Sequence, residues 1–289
     1  MNVLMCLPRF ICIDRTINAW MDKKYQPDLE VAQKQWHHVV KTYANADIQI
    51  WFIQPEKGCQ DMCFTANAGW YYQGKIILSS FKGKVARARG PEIPCYGEWF
   101  RKYRSRLGGI KVISFPRSDV SFEGQGDIVV VGAGGDRKHD VVLMGYGQGR
   151  TNYAAAKILR EIHDLPEDRL IPIRLVNKKF YHLDTACLFI PPNMLLYYPG
   201  AFDEKGLGIL DALGLHMISV SEKDAENLVC NGVAVEECGE TLLIANRTSV
   251  ELKTRLQKHG IRVAEVNTSE FLKNGGSVRC LTLFLPEKK

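Results

Sequence analysis

Trp70-Tyr71-Tyr72-Gln73-Gly74-Lys75-Ile76-Ile77-Leu78 decides the fold. Two runs rich in aromatic and β-branched residues flank Gln73-Gly74, which is strand chemistry around a tight turn, so the stretch predicts a β-hairpin. Behind it, about Glu92 to Leu107 reads as an amphipathic helix and Lys111 to Phe115 as a short strand. The unit is therefore strand, strand, helix, strand. Working outward, the same order recurs: Ile128–Val131 and Val141–Gly145, a helix near Asn152–His163, then a strand around Leu170–Leu175. It recurs again with Ala186–Ile190, Met194–Tyr197, a helix near Glu204–Leu213 and the strand His216–Val220. A last copy holds Gly232–Val235, Thr241–Ala245, the helix Val250–His259 and the strand Ile261–Val266. Upstream, Asp28–Tyr43 reads as a helix before the apolar run Ile48–Ile53, and the final strand, Leu281–Leu285, is placed to pair with the N-terminal one and close a ring. Successive helices stand roughly 50 to 60 residues apart, longer than the usual solenoid periods. The expected architecture is α/β: a five-bladed α/β propeller of pseudo-fivefold ββαβ-type repeats, one domain over 1–289, enclosing a polar axis. A doubly wound sheet competes with it, because strands alternating with helices suggest that by default.

The bulk numbers narrow the class. At 289 residues, 46% hydrophobic and 24% charged, the chain can bury a large core and is not a disordered or fibrous sequence. The net charge of +6 is spread along the chain without a dense basic block, so no nucleic-acid partner is expected. Nine cysteines are an odd number at irregular spacing, which favours a reducing compartment and free thiols. No run reaches the roughly 18 apolar residues that span a bilayer. The apolar N-terminus is broken by Pro8 and Arg9 and lacks a basic leader. The expectation is a cytoplasmic protein away from membranes, with a homo-oligomer allowed.

Two motifs dissolve on inspection. Val129-Val130-Val131-Gly132-Ala133-Gly134-Gly135-Asp136 imitates a dinucleotide loop, but Arg137 stands where the third glycine belongs and a second strand follows instead of a helix. A hairpin turn is the better reading. Cys59 and Cys63 lack a second pair at finger-like spacing, and His37-His38 sits inside a helix, so no metal is expected.

Other stretches carry chemistry together. Asn274-Gly275-Gly276-Ser277-Val278-Arg279-Cys280 presents a thiol after a glycine-rich turn whose N–H groups can face developing charge. Phe122-Glu123-Gly124-Gln125-Gly126-Asp127 sets two carboxylates around glycines. In Phe180-Tyr181-His182-Leu183-Asp184-Thr185, an extended backbone would project His182 and Asp184 from one face. Asp61 lies in Gln60-Asp61-Met62-Cys63-Phe64-Thr65-Ala66-Asn67-Ala68-Gly69. Singly, each has a bland explanation: a turn, a cap, a buried thiol. As a set, a thiol, an imidazole and several acids point to nucleophilic attack on a guanidinium carbon.

Those segments, with Ile17-Asn18-Ala19-Trp20-Met21, Gly145-Tyr146-Gly147-Gln148-Gly149-Arg150-Thr151 and Tyr197–Phe202, resemble the guanidine-modifying (pentein) superfamily, in its dimethylarginine dimethylaminohydrolase-like and arginine dihydrolase branch. The resemblance runs along nearly the whole chain and implies a five-bladed propeller with the site on its axis. It implies Cys280 as nucleophile, His182 as general acid/base and Glu123 as the carboxylate orienting it. It further implies Asp61 and Asp184 as guanidinium clamps, and Asn67 as the residue biasing the outcome towards loss of both nitrogens. Arg89 and Arg150 would meet the substrate carboxylate, and Asn18 would line the substrate site. Ala19 replaces a common proline and Asn152 a usual acid. The implied activity is hydrolysis of arginine, without cofactor, to ornithine, carbon dioxide and ammonia. A dimethylaminohydrolase, a deiminase, an amidinotransferase and a non-catalytic ribosome-associated factor are the alternatives.

Overall fold

The computed structural model describes residues 1–132, 140–237 and 239–287. Within them the strands form five three-stranded sheets. The first sheet joins β1 (Asn2–Cys6) to β2 (Gln49–Ile53), in parallel. The second holds β3 (Gly69–Tyr72), β4 (Lys75–Leu78) and β5 (Lys111–Ser114), and the third β6 (Ile128–Val131), β7 (Val141–Tyr146) and β8 (Leu170–Arg174). The fourth holds β9 (Cys187–Ile190), β10 (Met194–Tyr197) and β11 (His216–Ser219); the fifth β12 (Val233–Glu237), β13 (Glu240–Ala245) and β14 (Ile261–Glu265). In each of these four the first strand runs antiparallel to the second, and the second parallel to the third. Finally β15 (Leu283–Leu285) pairs antiparallel with β1, Leu285 opposite Asn2, giving the first sheet the same pattern across a seam. The sequence unit and the pairing of the terminal strands are thus observed. The fold is mixed α/β, and the single doubly wound sheet is excluded. The turn at 133–139, expected to close a hairpin, lies outside the described residues; the strands flanking it pair antiparallel, with Val131 opposite Val141.

The parallel pairs need crossovers, and amphipathic helices supply them. In α1 (Leu29–Asn45) the buried Ala32, Gln35, Trp36, Val39 and Tyr43 recur at three to four residues, one face of a helix. Asp28 caps it, its side chain accepting from Val31 N at 3.0 Å. The second crossover holds α2 (Gly83–Arg89) and α3 (Glu92–Tyr103). The sequence pattern carries that helix on to Leu107, but it ends earlier, before Gly108 and Gly109 at φ +78° and +74°. The short α2, which brings in Arg89, was not foreseen because seven residues show too little periodicity. The remaining crossovers use α4 (Ala155–His163), α6 (Glu204–Asp211) and α8 (Val250–Lys258), with α5 (Leu183–Ala186), α7 (Glu222–Glu226) and α9 (Ser269–Leu272) in segments that connect one sheet to the next.

One recurrent device positions the polar residues. A single tight turn precedes the leading strand of every sheet: Thr65–Ala68 before β3, Gly124–Asp127 before β6, α5 before β9, Asn227–Asn231 before β12, and Val278–Leu281 before β15. These turns carry Asn67, Gln125, Asp184, Asn231 and Cys280, all buried. The extended reading of Phe180–Thr185 is therefore corrected. His182 is the extended cap residue and Asp184 lies on the helical turn that follows it. Asp127 Oδ1 accepts from Leu183 N at 3.1 Å and Thr185 Oγ1 donates to His182 O at 2.7 Å, so side chains close the turn.

Candidate active site

The thiol is placed by its loop. Gly275 has φ +81°, and a Cβ there would lie 2.9 Å from the Trp20 ring and 3.0 Å from Tyr181 Oη. A Cβ at Gly276 would come within 2.5 Å of Phe64, so neither position admits a side chain. Asn231, which sequence reasoning missed, then pins the turn. Its Oδ1 accepts from Ser277 N at 2.8 Å and Cys280 N at 3.1 Å, while its Nδ2 donates to Asp184 O at 3.0 Å. Asn231-Gly232 reads as an ordinary turn dipeptide, and nothing local marks it as a tie between two distant segments. Cys280 Sγ consequently faces Asp184 Oδ2 at 3.4 Å, whereas Asp184 Oδ1 is buried without a partner among the described residues. Burial, reinforced by the Asp184 carboxylate, pushes the thiol well above its ordinary value. Burial likewise pushes Asp184 up to about 7, with the charge of Arg279 pulling the other way.

His182 stands in the opposite electrostatic setting. Its Nε2 lies 2.8 Å from Glu123 Oε2, and Glu123 accepts from Arg150 Nε at 2.9 Å and Nη2 at 2.7 Å. Burial alone would raise Glu123, but Arg150 and His182 outweigh it and hold the carboxyl down at about 2. Burial and the Arg150 charge hold His182 down at about 4, against the pull of Glu123. At neutral pH the imidazole is therefore uncharged. Donating from Nε2 to Glu123 leaves its Nδ1 as the acceptor, 3.4 Å from Asn67 Nδ2.

Between these groups lies a slot lined by Ile17, Asn18, Asp61, Asn67, Arg89, Arg150, Tyr181, Asn274 and Cys280. Its volume of about 10 Å³ is one water wide. Beyond Ile17–Ala19 it gives way to a cavity of about 590 Å³ whose wall holds Lys82, Lys84, Arg150 and Lys178. Asp61 accepts from Asn274 Nδ2 and Gln60 Nε2, each at 2.9 Å, and burial still raises it. Asn67 Oδ1 accepts from Arg89 Nη1 at 2.7 Å, and its Nδ2 donates to Glu123 O at 3.1 Å. Asn18 Nδ2 donates to Asn274 O at 2.8 Å. Asn274 Oδ1 is another buried acceptor with no donor among the described residues.

All nine residues singled out in the sequence thus converge: six line the slot, with Asp184, His182 and Glu123 in contact with its wall. The two arginines differ from expectation in their freedom. Every nitrogen of Arg89 is engaged, with Glu92, Asn67 and the Asp61 and Phe64 carbonyls. Arg150 keeps Nη1, whose contact is a long one of 3.3 Å to Ile17 O. Among the described residues no three His, Cys, Asp or Glu side chains gather as a metal-binding group, and no helix is long and apolar enough to cross a membrane.

Comparison with known proteins decides the family. The profile of eukaryotic N,N-dimethylarginine dimethylhydrolases matches residues 10–285. The chain belongs to this dimethylarginine dimethylhydrolase family. Its similarity to the N(G),N(G)-dimethylarginine dimethylaminohydrolase of Mycobacterium tuberculosis is 32% identity over 279 residues, covering 96% of this chain and 84% of that protein. The bifunctional arginine dihydrolase/ornithine cyclodeaminase AgrE of Nostoc sp. is 34% identical over 290 residues, covering 98% of this chain. This dimethylarginine dimethylhydrolase family member spans 38% of the length of AgrE. Its fold superposes on the substrate-bound N-terminal domain of ArgZ, a cyanobacterial arginine dihydrolase, with a TM-score of 0.86 at 32% identity, over 99% of this chain and 98% of that one.

Proposed function

We propose that residues 1–289 form one catalytic domain, its five sheets set as propeller blades around the turns that carry Asn67, Gln125, Asp184, Asn231 and Cys280. On this reading the protein hydrolyses the guanidinium C–N bonds of L-arginine without a cofactor, giving ornithine, carbon dioxide and ammonia. The observation that carries it is the pair of buried, donorless oxygens, Asp184 Oδ1 and Asn274 Oδ1, in the walls around a buried thiol. Such oxygens cost free energy until a donor arrives, and a guanidinium brings several N–H donors and a positive charge in one plane. The sequence similarity to arginine dihydrolases points the same way.

The resting charges shape the chemistry. With thiol and imidazole both neutral, the arriving cation favours the thiolate, and the Sγ proton passes to His182 Nδ1. The thiolate adds to the guanidinium carbon, Asp61 and Asp184 holding the plane. The C–N bond breaks as His182 returns its proton to the departing amine, leaving an amidino-thioether. Neutral His182 then takes a proton from the attacking water, and C–S cleavage restores the thiol. The first round yields citrulline and ammonia. In a second round the thiol displaces ammonia from the ureido carbon, water cleaves the resulting thiocarbamate to restore the thiol, and the carbamate released loses carbon dioxide to give ornithine, with Asn67 supplying an amide where a carboxylate would repel the neutral oxygen. Arg150, through Nη1, is the ligand for the substrate carboxylate, and Arg89 holds Asn67.

A second reading, release of a methylamine from methylated arginine, is favoured by the family profile and by the mycobacterial relative. The test is incubation with L-arginine beside a Cys280→Ala control, resolving ornithine, citrulline and ammonia. Ornithine with two ammonia per arginine supports the dihydrolase, and citrulline alone a deiminase. Silence on arginine with turnover of methylated arginine supports the second reading. Equal turnover by Cys280→Ala would sink the mechanism.

A further inference from the structure

Arg279, beside the thiol in sequence, has no part in the chemistry above and is only 8% exposed. Among the described residues its guanidinium donates only from Nη1, to Gln125 Oε1 at 3.2 Å and Thr282 O at 3.4 Å. Among the described residues it makes no ion pair, and it stacks over the Phe284 ring at 4.0 Å. Nε–H and Nη2–H, the two donors along one edge, have no acceptor among the described residues. No carboxylate of the described residues touches this largely buried cation, and Asp184 favours its charge only from a distance. The unused edge is the one that binds a planar oxyanion through two parallel hydrogen bonds.

That side chain opens into a cavity of about 360 Å³, distinct from the reaction slot, with Tyr71, Phe189 and Phe284 among its walls. Asp184 lines this cavity too, while its Oδ2 touches Cys280 Sγ, so the carboxylate forms a partition between cavity and thiol. Asp140 in the same wall is turned to the Tyr72 hydroxyl, which donates to it at 3.5 Å. We propose that this cavity is a second small-molecule site, taking a carboxylate with an apolar body whose oxygens pair with Nε and Nη2 of Arg279. Its occupant would be felt at the reaction centre. Arg279 is the cation whose charge opposes the effect of burial on Asp184, and an anion on Arg279 cancels that field.

The probe is benzoate, a planar carboxylate on an aromatic ring, with neutral benzamide as control. Each is titrated calorimetrically into Cys280→Ser protein saturated with L-arginine, so that the slot is filled. Saturable one-site binding of benzoate, absence of benzamide binding, and about tenfold or greater weakening in the added Arg279→Gln variant are expected. Arg279→Lys, which keeps the charge and loses the paired edge, should weaken it too and serves if the glutamine variant does not fold. Benzoate affinity unchanged in both Arg279 variants, mutually exclusive binding of benzoate and arginine, or no benzoate binding up to about 20 mM would overturn the proposal. Arginine binding is scored in its own titration, so failure of the substrate reading is distinguishable from failure of this site.

Discussion

Replacing Glu123 by glutamine removes one negative charge from the centre of the molecule and changes little else in shape. Glu123 accepts from both Nε and Nη2 of Arg150 and meets His182 Nε2, with both ion-pair side chains at 3% exposure or less. The variant leaves the Arg150 cation buried without its counter-charge, and the new amide N–H₂ opposes another donor whichever way it turns. Breaking a buried pair in this manner costs about 3–5 kcal/mol. For a chain of this length that amounts to a fall in melting temperature of roughly 5–8 °C. His182 also loses the carboxylate that fixes its tautomer, so arginine turnover should fall by about 10²-fold or more. Thermal unfolding and ammonia release measure the two losses. A further substitution, Arg150→Met, removes the stranded charge and should recover most of the melting temperature while leaving turnover low. The reasoning is refuted if Glu123→Gln melts within about 1 °C of the parent protein, or if Arg150→Met deepens its loss of stability.

Three other perturbations test separate parts of the site. Asn67→Asp removes the N–H₂ that meets Glu123 O and places a charge beside the ureido oxygen, so citrulline should accumulate in place of ornithine; an unchanged product ratio would remove Asn67 from the second round. Asn231→Ala strips the acceptor from two buried N–H groups at roughly 1–3 kcal/mol each, so kcat should fall more than arginine affinity, which single-turnover assays against equilibrium binding would separate. Asp184→Asn has a pH signature. Because burial raises the folded-state value of Asp184 to about 7, its contribution is fully present below the ordinary carboxylate range and lost as pH rises through about 7. The asparagine variant lacks that loss, so its melting temperature relative to the parent should be higher near pH 8.5 than near pH 5; a pH-independent difference would contradict the assignment.

The strand–strand–helix–strand unit was legible because its hairpins and longer helices carry local signals: a turn at Gln73-Gly74, and the three-to-four spacing of Trp36, Val39 and Tyr43. The convergence of the candidate set was legible because cysteine, histidine and paired acids are individually conspicuous and their motifs resemble a known family. What escaped was the wiring. Arg89 and Arg150 read as ligands for the substrate carboxylate, yet each is committed to a buried acid: Arg89 to Glu92 through the short α2, and Arg150 to Glu123 in a different connection. Asn231 and Asn274 escaped for the same reason, since an asparagine beside a glycine looks like a turn whether or not it ties distant segments. The path of Phe180–Thr185 was misjudged because Asp127, far upstream, supplies the acceptor that starts its helical turn.

The seam in the first sheet has a temporal meaning. Asn2 cannot find Leu285 until the segment around residue 285 has left the ribosome, and such long-range closure is slow to form. Cys280 sits in the turn that leads into β15, so the thiol meets Asp184 only when the seam shuts. A nascent or truncated chain therefore carries four sheets' worth of structure with no reactive centre. The meeting of Cys280 with Asp184 thus reports that the first and last of the fifteen described strands have found each other.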